Sequence, residues 1–90
     1  VTADATITLP ATAAGVSVWL VCGGDGVRVT VSPNANDKFL IDVAGAAGTD
    51  NKDIILAAAT SKKGDYVKLL ADGSNGWNIL ELAGTWVDES

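Results

Sequence analysis

The sequence lacks the side chains from which small proteins usually build crosslinks, metal sites and catalytic centres. Its 90 residues contain no histidine and only one cysteine, Cys22. A single cysteine cannot form an internal disulfide, and without histidine, a cysteine pair or a tight carboxylate cluster the chain offers no structural zinc site. Because a domain of this length buries a modest core and is marginal by itself, we expect oligomerisation to stabilise it.

Aromatic residues and positive charge are also scarce. The chain has three Trp, one Tyr and one Phe, and much of its 48% hydrophobic content is alanine and valine, which predicts a thin core. Eleven acidic residues against six basic ones give a net charge of -5. This charge argues against nucleic acid as a partner. No apolar run approaches the roughly 20 residues of a membrane-spanning helix, so membrane insertion is not expected.

Alternation of apolar and polar residues predicts a chain made of short strands. The clearest period of two lies in 27–33, where Val27, Val29 and Val31 are predicted to point inward. Further strands are predicted at 5–10, 15–22, 38–43, 65–72, 77–82 and 85–89. Residues 52–65 could form a short helix, but their β-branched pair and polar interruptions favour a strand that runs into a loop.

Glycine-rich stretches between the strands predict the turns. We expect hairpins at 23–26 and 72–76, and at 44–51 a loop whose small residues suit either close backbone approach or a mobile tip. The strand at 15–22 is apolar on both faces, which predicts that both faces are covered. Trp19 in this strand is therefore either part of a core between two sheets or a subunit contact.

Short strands about ten residues apart, with a turn signal between most of them, are typical of a β-sandwich or barrel. No linker or internal repeat divides the sequence, so residues 1–90 are expected to form one domain. The predicted fold class is all-β, a compact antiparallel β-sandwich or jelly-roll-like barrel of about seven to eight short strands. Val18, Leu20, Val29 and Ile79 are among its predicted core residues.

The residues that could act in catalysis or metal binding are better explained by structural roles. Without histidine, catalysis would depend on carboxylates, lysines, Tyr66, Cys22 or hydroxyl groups. Cys22 ends an apolar strand with no basic residue nearby in sequence, which favours a small core residue. The aspartates lie mostly in turns, and the oxygen-rich stretches 34–37 and 72–75 lack the ligand spacing of a calcium loop. We therefore predict no enzyme activity, no metal and no cofactor.

Trp77 and Trp86 follow glycine-containing turn signals at the starts of two predicted strands. One interpretation, which we favour, is that their rings close one end of a thin core. The other is that the rings are exposed and stack on a sugar, with Asp72 and Asn75 as polar contacts. These four residues are the candidate recognition surface. The stretches 23–26, 44–51 and 72–76 are the candidate recognition loops, because rigid β scaffolds carry binding on their loops.

The order of four short pieces spans nearly the whole chain. The pieces are ITLP (7–10), AAG (13–15), VTVSP (29–33) and GDYVKLLADGSNGW (64–77). The last combines a hydrophobic strand, an Asp-Gly turn and a tryptophan, and it is the most specific of the four. Together they resemble a β-rich module at the C-terminal ends of bacteriophage virion proteins, chiefly tail-fibre-like, head-fibre and capsid decoration proteins.

This resemblance implies a compact β domain that associates as a homotrimer around a three-fold axis. The trimer would bury unpaired outer strands between subunits. The implied function is that of a non-enzymatic structural protein on the virion surface, the trimeric head of a fibre or capsid-decorating protein, in assembly or attachment. Other virion proteins or a host surface glycan would be its partners, and residues 1–90 would be the C-terminal head of a longer protein. The alternative is a monomeric carbohydrate-binding module that uses exposed tryptophans.

Overall fold

A computed structural model describes residues 1–12 and 15–89. Within these residues the chain forms strands and no helix, so none that is long and apolar enough to cross a membrane. The strands are β1 (Ala5–Thr8), β2 (Ser17–Val21), β3 (Val29–Ser32), β4 (Lys38–Phe39), β5 (Ile54–Leu56), β6 (Tyr66–Ala71), β7 (Gly76–Ala83) and β8 (Trp86–Asp88). The predicted all-β fold class is confirmed. Residues 13 and 14 of the AAG piece lie outside the described residues.

The strands form two four-stranded sheets that pack against each other. Sheet A has the order β1-β3-β5-β8, and sheet B has the order β2-β6-β7-β4. Most neighbouring strands are antiparallel, but β1 pairs with β3 in parallel and β4 pairs with β7 in parallel. The sandwich is therefore mixed rather than antiparallel throughout. The first parallel pair arises because the chain passes through β2 in sheet B between β1 and β3. When it returns to sheet A, it runs in the same direction as β1.

The stretch 23–26 does not form the predicted hairpin. β2 precedes it in sheet B and β3 follows it in sheet A, so the chain crosses here from one sheet to the other. The Asp25 carboxylate accepts a hydrogen bond from the Lys63 amide at 2.8 Å, which ties the crossing to a neighbouring loop. Flexible glycine backbone suits either connection, which is why the sequence signal misled. The hairpin predicted at 72–76 is confirmed, because β6 and β7 are antiparallel.

The core lies between the sheets and consists of inward-facing side chains. Its buried hydrophobic residues are Leu9, Cys22, Val27, Val29, Val31, Phe39, Ile54, Leu56, Val67, Leu69, Ala71, Trp77 and Trp86. The inward valines of 27–33 are buried, as their alternation predicted. Val18, Leu20 and Ile79 are partly buried and pack against the core from sheet B. These three positions of sheet B are therefore less completely buried than the centre of the core.

The ambiguous stretch 52–65 contains a strand. Ile54 and Leu56 of β5 are buried, and β5 pairs antiparallel with both β3 and β8. A turn follows, in which the Thr60 amide donates to the Ala57 carbonyl oxygen. The interpretation as a strand that runs into a loop is confirmed.

β4 ends at Phe39, although the sequence predicted a strand over 38–43. The chain turns away from β7 because Asp42 closes a tight loop, in which its carboxylate accepts a hydrogen bond from the Ala46 amide at 2.9 Å. Gly48 then packs directly against β4, since a Cβ there would collide with the Phe39 carbonyl oxygen. The predicted close backbone approach occurs at this glycine.

Candidate functional site

The two tryptophans of the candidate recognition surface are buried. Trp77 is 0% exposed and Trp86 is 5% exposed, and they contribute one ring from each sheet. Successive side chains of a strand point to opposite faces, and both tryptophans fall on the core side. Both rings therefore lie in the core, as the structural interpretation predicts, and neither ring is exposed to stack on a sugar.

The two buried indoles differ in one polar contact. Trp86 Nε1 donates a hydrogen bond to the Ala83 carbonyl oxygen at 3.0 Å. Trp77 Nε1 has no hydrogen-bond partner among the described residues. A buried donor without a partner is destabilising by about 1–3 kcal/mol. Trp77 therefore stabilises the core through its size and apolar area.

Asp72 and Asn75 lie in the exposed turn between β6 and β7, where they hold the backbone. The Asp72 carboxylate accepts hydrogen bonds from the amides of Ser74 (2.8 Å) and Gly76 (3.1 Å). These backbone hydrogen bonds, led by that from Ser74, lower the pKa of Asp72. The Asn75 carbonyl oxygen accepts from the Lys38 amide at 3.0 Å, which fixes the start of β4. The turn thus has a structural role, and the tryptophans expected beside it are in the core.

The candidate recognition loops do not converge on one surface. β2 ends at Val21, which lies opposite Tyr66 at the start of β6, so the stretch 23–26 is at that end of sheet B. The 72–76 turn follows the last residue of β6 and is at the opposite end. Residues 44–51 belong to the long connection between β4 and β5. A single binding site cannot use all three.

The exposed tryptophan is Trp19, on the side of sheet B that faces away from the core. Trp19 is 61% exposed, Val21 is 43% exposed and Leu80 is 59% exposed. The prediction that β2 is covered on both faces is wrong for the described residues, because no second layer among them lies over this side. We call this surface the outer face. Its residues are Trp19, Val21, Tyr66, Lys68, Leu80 and Glu81.

Cross-strand neighbours hold Trp19 in place. Lys68 lies directly opposite Trp19 in β6, and its Nζ is 4.6 Å from the centroid of the indole. The Tyr66 ring meets the Trp19 ring edge-on, with 6.0 Å between centroids and 69° between planes. The Tyr66 hydroxyl donates to Glu81 Oε1, and this hydrogen bond raises the pKa of Tyr66. These contacts join four side chains from three strands into one ordered cluster.

Leu80 is exposed because β7 contains a β-bulge. Lys68 pairs with Glu81, whereas the next residue of β6, Leu69, pairs with Ile79, which leaves Leu80 as the extra residue. A bulge leaves its extra residue unpaired and redirects the side chain. The only sequence signal for it is the adjacent apolar pair Ile79-Leu80, which interrupts the alternation of β7.

An open groove of about 260 Å³ lies beside β7 where β4 stops. Its lining residues are Ile41, Asp42, Val43, Ile79, Leu80, Glu81 and Leu82. The wall opposite β7 is anchored to sheet A, because the Asp88 carboxylate accepts hydrogen bonds from the amides of Val43 (2.8 Å) and Ala44 (3.1 Å). Five of its seven lining residues are apolar, and its charged groups are the carboxylates of Asp42 and Glu81.

The described residues contain few groups arranged for chemistry. Within 1–12 and 15–89, no three side chains of His, Cys, Asp or Glu gather as a metal site would require. Cys22 is buried, and its Sγ donates to the Gly24 carbonyl oxygen at 3.0 Å, so it is the small core residue that the sequence predicted. The absence of enzyme activity and of a cofactor remains a prediction.

No family model, curated protein or solved structure matches this chain. The resemblance to phage virion modules therefore remains a prediction from the sequence pieces. The outer face and the groove are the surfaces from which a function can be argued.

Proposed function

We propose that this chain is a non-enzymatic structural module that assembles with copies of itself, as a trimer, at the surface of a bacteriophage particle. The outer face of sheet B carries the proposal of self-assembly. It exposes Trp19, Val21 and Leu80 in a protein that has few large apolar side chains. Exposed large apolar residues with polar neighbours on one side of a sheet indicate an interaction surface.

Burial of the outer face in a subunit contact would stabilise a small domain. Val21 is 43% and Leu80 is 59% exposed, so covering what remains exposed of each contributes about half of the roughly 1.5–3 kcal/mol of full burial. Tryptophan is enriched among the residues that dominate interface energies. Because Trp19 is already held by Tyr66 and Lys68, little side-chain entropy is lost when a second copy covers it. These properties favour an ordered interface.

The virion setting is supported by the sequence resemblance alone. The VTVSP piece covers β3 in sheet A, and the longest piece covers β6, the hairpin turn and the start of β7 in sheet B. In such a setting the trimer would be the head of a fibre or capsid-decorating protein, in contact with other virion proteins or a host glycan. Mass spectrometry of purified particles of the phage that encodes the chain tests this setting. Absence of its peptides from the particles would overturn it.

Light scattering over a range of protein concentrations tests self-assembly. We expect a mass of three chains that persists on dilution and is strengthened by salt, since a net charge of -5 makes the copies repel one another. Trp19→Glu should lower the mass to that of one chain. The matched change Val87→Glu, at an exposed apolar residue of sheet A, should leave it unchanged. A single-chain mass for the wild type at every concentration would overturn the proposal.

Carbohydrate binding is the second candidate, and the exposure of Trp19 is what favours it. The indole could stack on a sugar, with Tyr66, Lys68 and Glu81 as neighbouring polar groups. The Lys68 ammonium already lies over the ring, so a sugar would compete with it, which is why we favour assembly. Titration with maltohexaose and chitohexaose, followed by tryptophan fluorescence, tests this candidate. A saturable change that Trp19→Ala abolishes would support it, and no change with either sugar would contradict it.

A further inference from the structure

Sheet B has two edges without a full neighbouring strand. In the described part of the chain, β2 is the first strand of the sheet and pairs only with β6. At the other end, β4 pairs with β7 only at Gly76 and Trp77, although β7 continues to Ala83. Unpaired strand edges present rows of backbone donors and acceptors that can bind another strand.

The backbone of β2 is oriented so that its free edge can pair. The Ala71 amide donates to the Val16 carbonyl oxygen at 2.8 Å, and the Cys22 amide donates to the Asp65 carbonyl oxygen at 2.7 Å. Even-numbered residues therefore direct their backbone groups toward β6. Because this direction alternates along an antiparallel strand, the odd-numbered residues of Ser17–Val21 direct theirs away from the sheet.

One contact confirms this orientation. The Val1 nitrogen donates to the Val21 carbonyl oxygen at 2.9 Å, from the side of β2 that is opposite β6. Ser17 and Trp19 lie farther along the same edge, where the described residues provide no neighbouring strand. The pairing groups available to a second chain are therefore the amides and carbonyls of Ser17 and Trp19.

The free edge of β7 begins just after its contact with β4. The Leu40 amide donates to the Trp77 carbonyl oxygen at 2.9 Å, so the backbone of Trp77 faces away from β6. Two residues farther along, Ile79 faces the same way. Beyond the bulge the alternation resumes with Leu82. The edge formed by Ile79 and Leu82 opens into the groove beside β7.

We propose that the free edge of β2 in one copy pairs in parallel with the free edge of β7 in the next, and that three such contacts close a ring. This inference rests on the proposed self-assembly and specifies its contact. β2 and β7 run in the same direction, because each is antiparallel to β6. Rotation about a three-fold axis along the strands preserves that direction. A head-to-tail contact between two different edges forms a closed ring when the rotation closes.

The side chains at the two edges do not repel each other. β2 has the sequence SVWLV and no charge, whereas the groove contributes the carboxylates of Asp42 and Glu81. An uncharged strand avoids adding like charge to this acidic groove. Trp19 would lie beside the exposed Leu80 of the next copy, so the outer faces meet around the axis.

Two substitutions test the contact, each with a matched control. Ser17→Pro removes an outward amide at the first strand position, where proline is tolerated, whereas Ser17→Ala keeps that amide. Leu80→Lys places a charge in the groove, whereas Val87→Lys places the same charge on sheet A. We expect light scattering to show a three-fold fall in mass for Ser17→Pro and Leu80→Lys and no change for the controls. Cooperative thermal unfolding of each variant shows that the fold is retained.

Hydrogen exchange gives a second, independent readout. In the assembled wild type we expect slow exchange at the amides of Ser17, Trp19, Ile79 and Leu82, and at least ten-fold faster exchange in the single-chain form of Leu80→Lys. A trimer that persists in Ser17→Pro or Leu80→Lys, or unprotected edge amides in the trimer, would overturn the edge contact and leave self-assembly standing. A wild type that remains a single chain overturns both proposals.

Discussion

Trp19 and Trp77 belong to the same sheet and have opposite environments. Trp77 points into the core and is 0% exposed, whereas Trp19 points away from it and is 61% exposed. The inner side of sheet B is covered by sheet A, and its outer side is covered by nothing among the described residues. Packing of the two sheets therefore buries Trp77, whereas Trp19 remains exposed and available for contact with another molecule.

The largest expected effect is the difference in the free energy of unfolding between substitutions of Trp77 and of Trp19. Trp77→Ala should lower the free energy of unfolding by about 3–5 kcal/mol, because it leaves a large cavity in the core. In the single-chain background of Leu80→Lys, Trp19→Ala should lower it by only about 1 kcal/mol, because the exposed ring loses its contacts with Tyr66 and Lys68 and leaves no cavity. Urea unfolding measures both. Equal losses from the two substitutions would contradict the contrast.

A smaller effect separates the two buried rings. Trp77→Phe removes an indole nitrogen that has no partner among the described residues, whereas Trp86→Phe removes one that donates to the Ala83 carbonyl oxygen. We expect Trp86→Phe to be the more destabilising of the two by about 1 kcal/mol, the usual net value of one hydrogen bond. Urea unfolding of both variants checks the order. The reverse order would mean that ring size dominates over the polar contact.

The sequence predicted these inner positions well because strand periodicity reports burial. The alternation in 27–33 identified the inward valines, and the Asp-Gly turn at 72–76 identified the hairpin. The sequence patterns failed to predict features that depend on contacts between residues far apart in the chain. The parallel pairs arise from the order in which the chain visits two sheets, and no local pattern encodes that order. For the same reason the glycines of 23–26 could not distinguish a hairpin from a crossing.

The candidate site was harder to predict than the fold. Periodicity placed Trp19 on the side of β2 opposite Val18, but it could not show whether a second layer covers that side. The bulge at Leu80 depends on a register shift between two strands, and the end of β4 depends on the loop closed by Asp42. Each of these features depends on contacts between distant parts of the chain. The outer face and the groove were therefore visible only in the structure.

A smaller effect concerns the ordering of the outer face by Tyr66. Its hydrogen bond to Glu81 raises the pKa of Tyr66 above the ordinary value of 10.0. The pKa of Tyr66 is higher in the folded than in the unfolded protein, so its hydrogen bond stabilises the folded state below about pH 10. This stabilisation is lost as the pH rises through the raised pKa. Tyrosinate absorbance reports this group directly, because the chain has one tyrosine. Glu81→Ala should lower the midpoint toward the ordinary value, and an unchanged midpoint would contradict the contact.

The smallest effect is expected at the turn that precedes Trp77. Backbone hydrogen bonds, led by that from Ser74, lower the pKa of Asp72 below its ordinary value of 3.8. The pKa of Asp72 is lower in the folded than in the unfolded protein, so its hydrogen bonds stabilise the folded state at pH values above the unfolded pKa. This stabilisation is lost as the pH falls through the folded pKa. Asp72→Ala should therefore lower the melting temperature slightly at neutral pH and less in acid. A difference that grows in acid would refute this assignment.

The carboxylate of Asp88 has a consequence for how the molecule folds. It binds the amides of Val43 and Ala44, so the wall of the groove depends on β8. β8 itself pairs with β5, and β1 pairs with β3, across long stretches of chain. Domains dominated by such distant pairings fold in milliseconds to seconds, because long loops must close before their contacts form. The wall of the groove is therefore complete only when residue 88 has reached the connection that follows β4.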